Sequence, residues 1–338
     1  MIVSADMMRE LIETRLRELD VSQADASCQA MILVEAELRG HSSHGLQRLP
    51  RILLRIANGL CDPSKSGTHC WRSQAILEVD GENGLGPVVA DKALDALISR
   101  TNETGIAVAA ITRANHLGML APYVEKVARV GFVAIALSSS EALVHPFGGT
   151  RAMLGTNPIA IAVPTAREPF VLDLATSVVS MGRVHHYAAS GKPLEPNWAR
   201  DRFGQPTTDA EAAKHGALAP FGDAKGYGLG LAFELLVASI VGSVPAPGIR
   251  GTLDAQHPCN KGDVFLTIQP NGARNLIELL ADFLDDVRRS EDAAERAIRI
   301  PGDGSRERRA KSLATGIEID AELWQRLQDY APLQPFAA

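Results

Sequence analysis

Ser43, His44 and Arg48 stand within six positions of one another in the stretch SSHGLQRLP, residues 42–50. An imidazole titrates near neutral pH and can give or take a proton. A serine hydroxyl beside it can polarise the ring. A guanidinium holds a carboxylate through two parallel hydrogen bonds, which fixes both its position and its plane. If the segment is helical, Arg48 lies one turn from His44. The trio suits a substrate whose carboxylate adjoins a carbonyl. The same residues also suit a solvated turn between two helices, so the remainder of the chain has to decide.

Further polar groups stand where α/β proteins place their chemistry. ANHLG, residues 114–118, follows an apolar run and precedes a helix. Ligands in α/β folds bind beyond the carboxyl ends of strands, so His116 is a candidate. Gly118 permits close backbone approach there, and the following helix N-terminus offers amides to a phosphate. The plainer alternative is an N-capping turn with Asn115 as the cap. FGGTRAMLGTNPIA, residues 147–160, carries Thr156 and Asn157 just ahead of a strand, and reads as a backbone cradle or a pair of turns. LDLATS, residues 172–177, places Asp173, Thr176 and Ser177 at a strand end, where Asp173 caps a helix or holds a ribose or amide. Lys225 opens an apolar helix, where its charge opposes the helix dipole. That cost invites a functional explanation, but the glycine spacing is not that of a P-loop. GENGLG, residues 81–86, is a poor dinucleotide fingerprint, because the surrounding residues break the required context.

These candidates are carried by elements of recognisable period. Met8, Leu11, Ile12, Leu16 and Leu19 predict a helix over 4–19, with Ser4 and Asp6 as capping oxygens. A second helix is predicted over 22–39, capped by Ser22 and ended by Gly40. A third is expected from Leu46 to Ala57. From residue 75 strands and helices alternate: AILEVDG, IAVAAITR, FVAIALSSS, NPIAIAVPT, FVLDLATS and GDVFLTIQP read as strands. Alternation of this kind marks an α/β core. Residues 188–217 read as a long polar loop, residues 226–243 as a buried helix, and the chain ends in helical texture.

The chain has 338 residues, a formal charge of −6 and 46% hydrophobic content. This is a globular composition. No long basic run supports binding to nucleic acid. The basic residues of 306–311 alternate with acids, as on a helix face. Cys28, Cys61, Cys70 and Cys259 are scattered without metal spacing and read as reduced thiols, so no metal is expected. The N-terminus lacks a signal-peptide pattern, and no uninterrupted apolar stretch reaches the roughly 20 residues of a membrane span. A cytoplasmic protein without membrane partners is expected.

Taken in order, SHGLQRLP, NHLGMLAPY, PFGGTRAMLGTNPIAIAVPT, FVLDLATSVVSMGRV, GQPTTD, KGYGLGLAFELL and IPGDGSRERR resemble one family. It is the malate/L-lactate dehydrogenase superfamily that lacks a Rossmann fold. The family also includes sulfolactate and ureidoglycolate dehydrogenases, diketogulonate reductases and reductases of cyclic ketimine carboxylates. The matching stretches run from about residue 40 to 310. The resemblance implies an α/β class with a non-Rossmann nicotinamide-binding domain built on a mixed sheet. It implies a helical domain formed from both chain ends, with boundaries expected at 1–71, 72–300 and 301–338. It implies NAD or NADP as cofactor, a small 2-hydroxy or 2-oxo acid or a cyclic ketimine carboxylate as substrate, and a homodimer.

By resemblance, His44 donates the proton, Ser43 and Lys225 complete its relay, and Arg48 and Thr156 contact the substrate. His116, Leu117, Gly118, Met119 and Leu120 line the cofactor. Leu174, Ala175 and Thr176 hold it further along, and Gly302, Asp303, Gly304, Ser305 and Arg306 approach its adenosine end. An acid titrating near pH 7 is expected at His44. Arg306 is a candidate for a 2′-phosphate. The chain departs from the family pattern at His41 and Ser42, at Asp223 and Ala224, at His145 and at the pair His185 and His186, which bears on substrate choice. A non-catalytic nucleotide-binding protein is the competing reading, and the intact Ser43, His44, Arg48 and Lys225 set argues against it.

Overall fold

The computed structural model describes residues 1–273, 275–290 and 298–330, so part of the C-terminal stretch expected at 301–338 lies outside the described residues. β1 (Ile2–Val3) leads into α1 (Ala5–Arg17), and the Ser4 hydroxyl accepts from the Met7 amide at 3.1 Å. Ser22 does the same for α2 (Gln23–Leu38), accepting from the Asp25 amide. Both serines satisfy a donor that the first helical turn leaves unpaired. Gly40, at φ 76°, turns the chain out of α2 in a conformation that glycine adopts without strain. α3 (Leu49–Ala57) completes the N-terminal group. Met8, Ile12, Leu33, Leu49 and Leu53 of these helices share one apolar core with Leu323, Trp324 and Leu327 from the far end of the chain.

A second core lies on the sheet. Its strands are β2 (Thr68–Trp71), β3 (Ile76–Asp80), β4 (Ile106–Thr112), β5 (Val133–Ser138), β6 (Ile159–Val163) and β7 (Phe170–Leu174). α4 (Gly86–Thr104) links β3 to β4, and α5 (Ala121–Arg129) links β4 to β5. After β7 come α6 (Met181–Ala189), β8 (Ala199–Arg200), β9 (Pro206–Thr207), α7 (Ala210–Ala213), β10 (Ala217–Leu218) and α8 (Ala224–Val241). β11 (Gly262–Ile268) then re-enters the sheet. α9 (Leu276–Arg289), α10 (Asp303–Thr315), β12 (Ile317–Glu318) and α11 (Ala321–Gln328) follow.

The sheet order is β2-β3-β4-β11-β5-β6-β7. Only β3 and β4 pair in parallel; the other neighbours are antiparallel. Alternate residues divide between the faces. Ala107, Ala109, Ala134, Ala136 and Phe265 pack with α4 and α5, while Leu137 and Val264 pack with Val237 of α8 on the other face. The small alanines let α4 and α5 lie close to the sheet.

The registers decide where loops meet. Thr112 at the end of β4 faces Gly262 at the start of β11, and Asp263 faces Ser138 at the end of β5. Leu137 faces Ile159 at the start of β6, and Ile159 faces Leu174 at the end of β7. Asp80, at the end of β3, faces Thr112. One edge of the sheet therefore collects the segments around 81–86, 113–120, 139–158, 175–180 and 261.

The structure corrects several expectations. Thr68–Trp71 falls on the helical side of the expected 71/72 boundary, yet it pairs with β3 as an outer strand. It is largely exposed, so no apolar alternation announces it. Residues 188–217 are not a plain loop: β8, β9 and β10 form a three-stranded sheet over a separate apolar cluster with Val144, Leu154 and Val184. Strands of two residues are too short to show a period. α8 is not a buried helix. Gly226, Gly230, Glu234 and Val237 form its one buried stripe, while Leu229, Leu235 and Leu236 are exposed. By length and composition it is the one described helix apolar enough to cross a membrane.

Candidate active site

Ser42–His44 and Leu46–Arg48 form two 3-10 turns, broken at Gly45, rather than the start of one long helix. The break lets Arg48 fold back, and its Nε donates to the Ser43 carbonyl at 2.7 Å. Imidazole and guanidinium thereby face one cleft. Two neighbours fix this loop. The buried Glu37 carboxylate accepts from the Leu46 amide at 2.8 Å. A Cβ on Gly45 would lie 2.3 Å from that carboxylate, and a Cβ on Gly182 in α6 would lie 2.3 Å from Ser43 Cβ.

The Ser43 hydroxyl lies 3.0 Å from His44 Nδ1. His116 faces His44, with ring centroids 5.6 Å apart. The Gly118 amide donates to His116 Nδ1 at 3.0 Å, so that nitrogen is the acceptor and the neutral ring carries its proton on Nε2. Burial, followed by the Arg48 charge, pushes His44 down to about 3. This corrects the expectation of an acid near pH 7 in the ligand-free chain: desolvation and a cation both disfavour imidazolium. His116 is held well below its ordinary value, first by burial and then by Arg48.

A cavity of about 110 Å³ joins Ser43, His44, Arg48, His116, Leu117, Gly118, Leu120 and Thr156. Eight of the expected site residues thus meet. Ser140 supports Thr156 by accepting from its amide at 3.0 Å. Thr176 is buried with its hydroxyl on the Thr156 carbonyl at 2.9 Å, so it braces this loop. Met119 is turned into the sheet core. Leu174 and Ala175 end β7 at the same sheet edge but outside this cavity.

Gly302, Asp303, Gly304, Ser305 and Arg306 lie farther off, where α10 abuts β7: a Cβ on Gly302 would lie 2.9 Å from the Val171 carbonyl. Asp303 accepts from Arg288 at 2.9 Å and pairs with Arg306 at 3.2 Å. Arg306 also donates to the Pro169 carbonyl at 2.9 Å, so its guanidinium is engaged within the chain.

Lys225 is exposed and does not line the cavity. The lysine that does is Lys261, buried and paired with the buried Asp263, which also accepts from the Ser138 hydroxyl. Ser138, Ser139 and Ser140 line the cavity too. The signal for them is the one that pointed to His116, a polar run straight after a buried strand. Lys261 and Asp263 precede or enter an apolar strand on one face, which is the mark of an interior pair.

Two other expectations change. Asn115 is no helix cap: its amide donates to the Asn83 and Gly84 carbonyls, and Arg55 donates to its oxygen. Asp173 is the capping residue, accepting from the Leu120 and Ala121 amides at 3.0 and 2.8 Å across from β7. Burial pushes its carboxyl up to about 6. GENGLG contributes close packing: a Cβ on Gly86 would lie 2.3 Å from the Asn115 carbonyl. Among the described residues no cluster of His, Cys, Asp or Glu could hold a metal ion.

The cleft offers apolar walls from Leu117, Leu120 and Leu143, an imidazole face, hydroxyls and backbone amides. This donor set fits a flat ring bearing an amide, such as nicotinamide.

Comparison with known proteins agrees. A family model described as malate/L-lactate dehydrogenase matches residues 3–328. The chain is 34% identical to an L-sulfolactate dehydrogenase of Methanocaldococcus jannaschii over 332 residues, 97% of this chain and 96% of the relative. It is 32% identical to a delta(1)-pyrroline-2-carboxylate reductase of Burkholderia multivorans over 337 residues, 96% of each chain. A crystal structure of a dehydrogenase from Sinorhizobium meliloti is 51% identical and superposes with a TM-score of 0.95, with 97% of both chains covered.

Proposed function

The chain belongs to the malate/L-lactate dehydrogenase family, and from that premise we propose the roles of its residues. It is an NAD(P)-dependent oxidoreductase acting at C2 of a small carboxylate, either a hydroxy acid or a cyclic ketimine carboxylate. The observation that carries the assignment of roles is the fold-back of Arg48 onto the Ser43 carbonyl, which aims a guanidinium and the His44 imidazole at one cavity.

Arg48 clamps the substrate carboxylate and so orients C2, an entropic contribution to rate. A nicotinamide held between His116, Leu117, Gly118 and Leu120 would supply the hydride chemistry. In reduction, His44 delivers a proton to the carbonyl oxygen or imine nitrogen, and in oxidation it receives one. Ser43 orients the ring through Nδ1. A carboxylate seated on Arg48 offsets the charge that, after burial, holds His44 neutral, so substrate itself favours protonation of the imidazole. His116, Leu117, Gly118 and Leu120 flank the nicotinamide, and Thr156 borders the substrate. Leu174, Ala175 and the start of α10 would hold the remaining length of the cofactor.

We further propose a homodimer in the cytoplasm. The outward face of α8, with Leu235 60% exposed, is an apolar surface of the kind that subunits cover. Light scattering would report the dimer, and Leu235→Glu would shift it to monomer.

The reaction class is tested by following reduced-nicotinamide absorbance with NADH or NADPH and pyruvate, oxaloacetate, sulfopyruvate, diketogulonate and piperideine-2-carboxylate in turn. Oxidation with one compound identifies the substrate branch and cofactor. Silence across the panel with cofactor bound would count against it.

A further inference from the structure

A buried ion pair that takes no part in the proposed proton transfer stands on the wall of the catalytic cavity. Lys261 and Asp263 are 2% and 0% exposed, and their side chains pair at the start of β11. Both Asp263 oxygens are engaged: Oδ2 accepts from the Lys261 ammonium, and Oδ1 from the Ser138 hydroxyl at 2.6 Å. Two apolar side chains of similar volume would fill that place at a lower cost in desolvation. An ammonium has three donors, and among the described residues Asp263 is the one acceptor that meets this ammonium. Lys261 lines the cavity, so two donors remain for a ligand at this wall.

The other hydroxyls of the wall are engaged within the chain. That of Ser139 accepts from the Gly262 amide at 2.9 Å and donates to the Gly262 carbonyl at 3.2 Å. That of Ser140 accepts from the Thr156 amide at 3.0 Å and lies 3.4 Å from the Thr156 hydroxyl. That of Thr252 donates to Glu141 at 2.9 Å. Lys261 is therefore the side chain of this wall with donors to give. Its place is the His116 end of the cavity. After burial, Arg48 and His44, its charge is among those that hold His116 below its ordinary value. The charges that reach His44, after burial, are those of Arg48 and His41. The carboxylate clamp and the proton donor thus act at one end, and Lys261 stands at the other, beside the residues that flank the nicotinamide. Asp263 already balances the ammonium, so a neutral oxygen suits it better than a second anion.

We propose that Lys261 donates to the carboxamide oxygen of the nicotinamide ring, with Asp263 and Ser138 as positioning residues that fix its ammonium. This rests on the placement of the ring beside His116 and adds the side chain that holds it there.

The test is a binding measurement and needs no substrate. NAD+ or NADP+, whichever binds more tightly, is titrated calorimetrically beside two analogues. One carries an unsubstituted pyridinium ring, and the other an acetyl group in place of the carboxamide. Wild-type protein should bind the parent and the acetyl form about ten- to a hundredfold more tightly than the unsubstituted form, the scale of one hydrogen bond to a charged group. Lys261→Met alone would strand a buried carboxylate, so it is combined with Asp263→Asn. The double variant should lose this selectivity, while ADP-ribose, which lacks the ring, binds as it does to wild type. Ser138→Ala should lower the selectivity by about threefold. Equal binding of all three dinucleotides by wild type, or an acetyl form as weak as the unsubstituted one, overturns the proposal without any variant. Selectivity that survives in the double variant, or a matching loss for ADP-ribose, overturns it too. Selectivity that depends on Lys261, with no turnover across the substrate panel, leaves this inference standing and the reaction assignment fallen. Turnover of a panel member without such selectivity does the reverse.

Discussion

The imidazoles of His44 and His116 stack with centroids 5.6 Å apart and planes inclined by 29°. They are not equivalent. His116 Nδ1 is occupied by the Gly118 amide, whereas His44 Nδ1 meets the Ser43 hydroxyl and its ring adjoins Arg48. This difference is what supports the proposal that His44, and not His116, transfers the proton. His44→Ala should lower turnover by about a hundred- to ten-thousandfold, with cofactor affinity little changed. Steady-state rates and a fluorescence titration of cofactor check this. Normal turnover in the variant would sink the assignment.

The depressed pKa of His44 carries a stability consequence. Its ordinary value is 6.5 and its folded value about 3, with burial the larger cause and Arg48 the next. Between those values the unfolded chain binds a proton that the folded chain refuses. Stability contributed by this group is present above pH 6.5 and is lost as pH falls toward 3. His116, also depressed, acts in the same direction. Asp173 has the opposite sign: raised to about 6, it contributes stability at low pH that is lost as pH rises through 6. His44→Gln should therefore flatten the acid side of the Tm-against-pH curve. Superimposable calorimetric curves would show that the imidazole is not held neutral.

Much of this site was legible because the chain announces strand ends. His116 follows the apolar run of β4, Thr156 precedes β6, and the registers bring both to one edge. His44 and Arg48 were legible by residue type, but their geometry was not: a helical reading misses the break at Gly45 that turns Arg48 back. Lys261 was missed because a buried ion pair has no local pattern beyond its own two residues. The exposed face of α8 was misread for a related reason. An apolar helix looks the same whether its own chain or another surface covers it. Thr68–Trp71 gave no signal at all, since an exposed outer strand needs no apolar alternation.

The Gly45 break makes a sharper prediction. A methyl group there would collide with the Glu37 carboxylate, which holds the Leu46 amide. Gly45→Ala should displace the His44 loop and cost about a hundredfold in kcat, the usual scale for an ångström of misplacement. Glu37→Ala should lose activity through the same loop, while Glu37→Gln keeps an acceptor for Leu46 and should recover most of it. If alanine and glutamine at residue 37 behave alike, the hydrogen bond is not what positions the loop.

Cofactor preference offers a test at the far end of the site. Arg306 is the basic side chain that the family pattern places near the adenosine end, and a free guanidinium there would favour a 2′-phosphate. In this chain its Nη1 donates to the Pro169 carbonyl at 2.9 Å and its Nη2 meets Asp303 at 3.2 Å. Asp303 is held at about 2, first by Arg288 and further by the Ile300 amide and Arg306, so the carboxylate stays ionised across the working range. The guanidinium thus anchors α10 to the start of β7. Arg306→Ala should lower Tm, while the ratio of kcat/KM for NADPH over NADH moves by less than about threefold, the scale of a partly exposed pair. A loss confined to NADPH and exceeding tenfold would mean that Arg306 abandons both bonds to hold the phosphate.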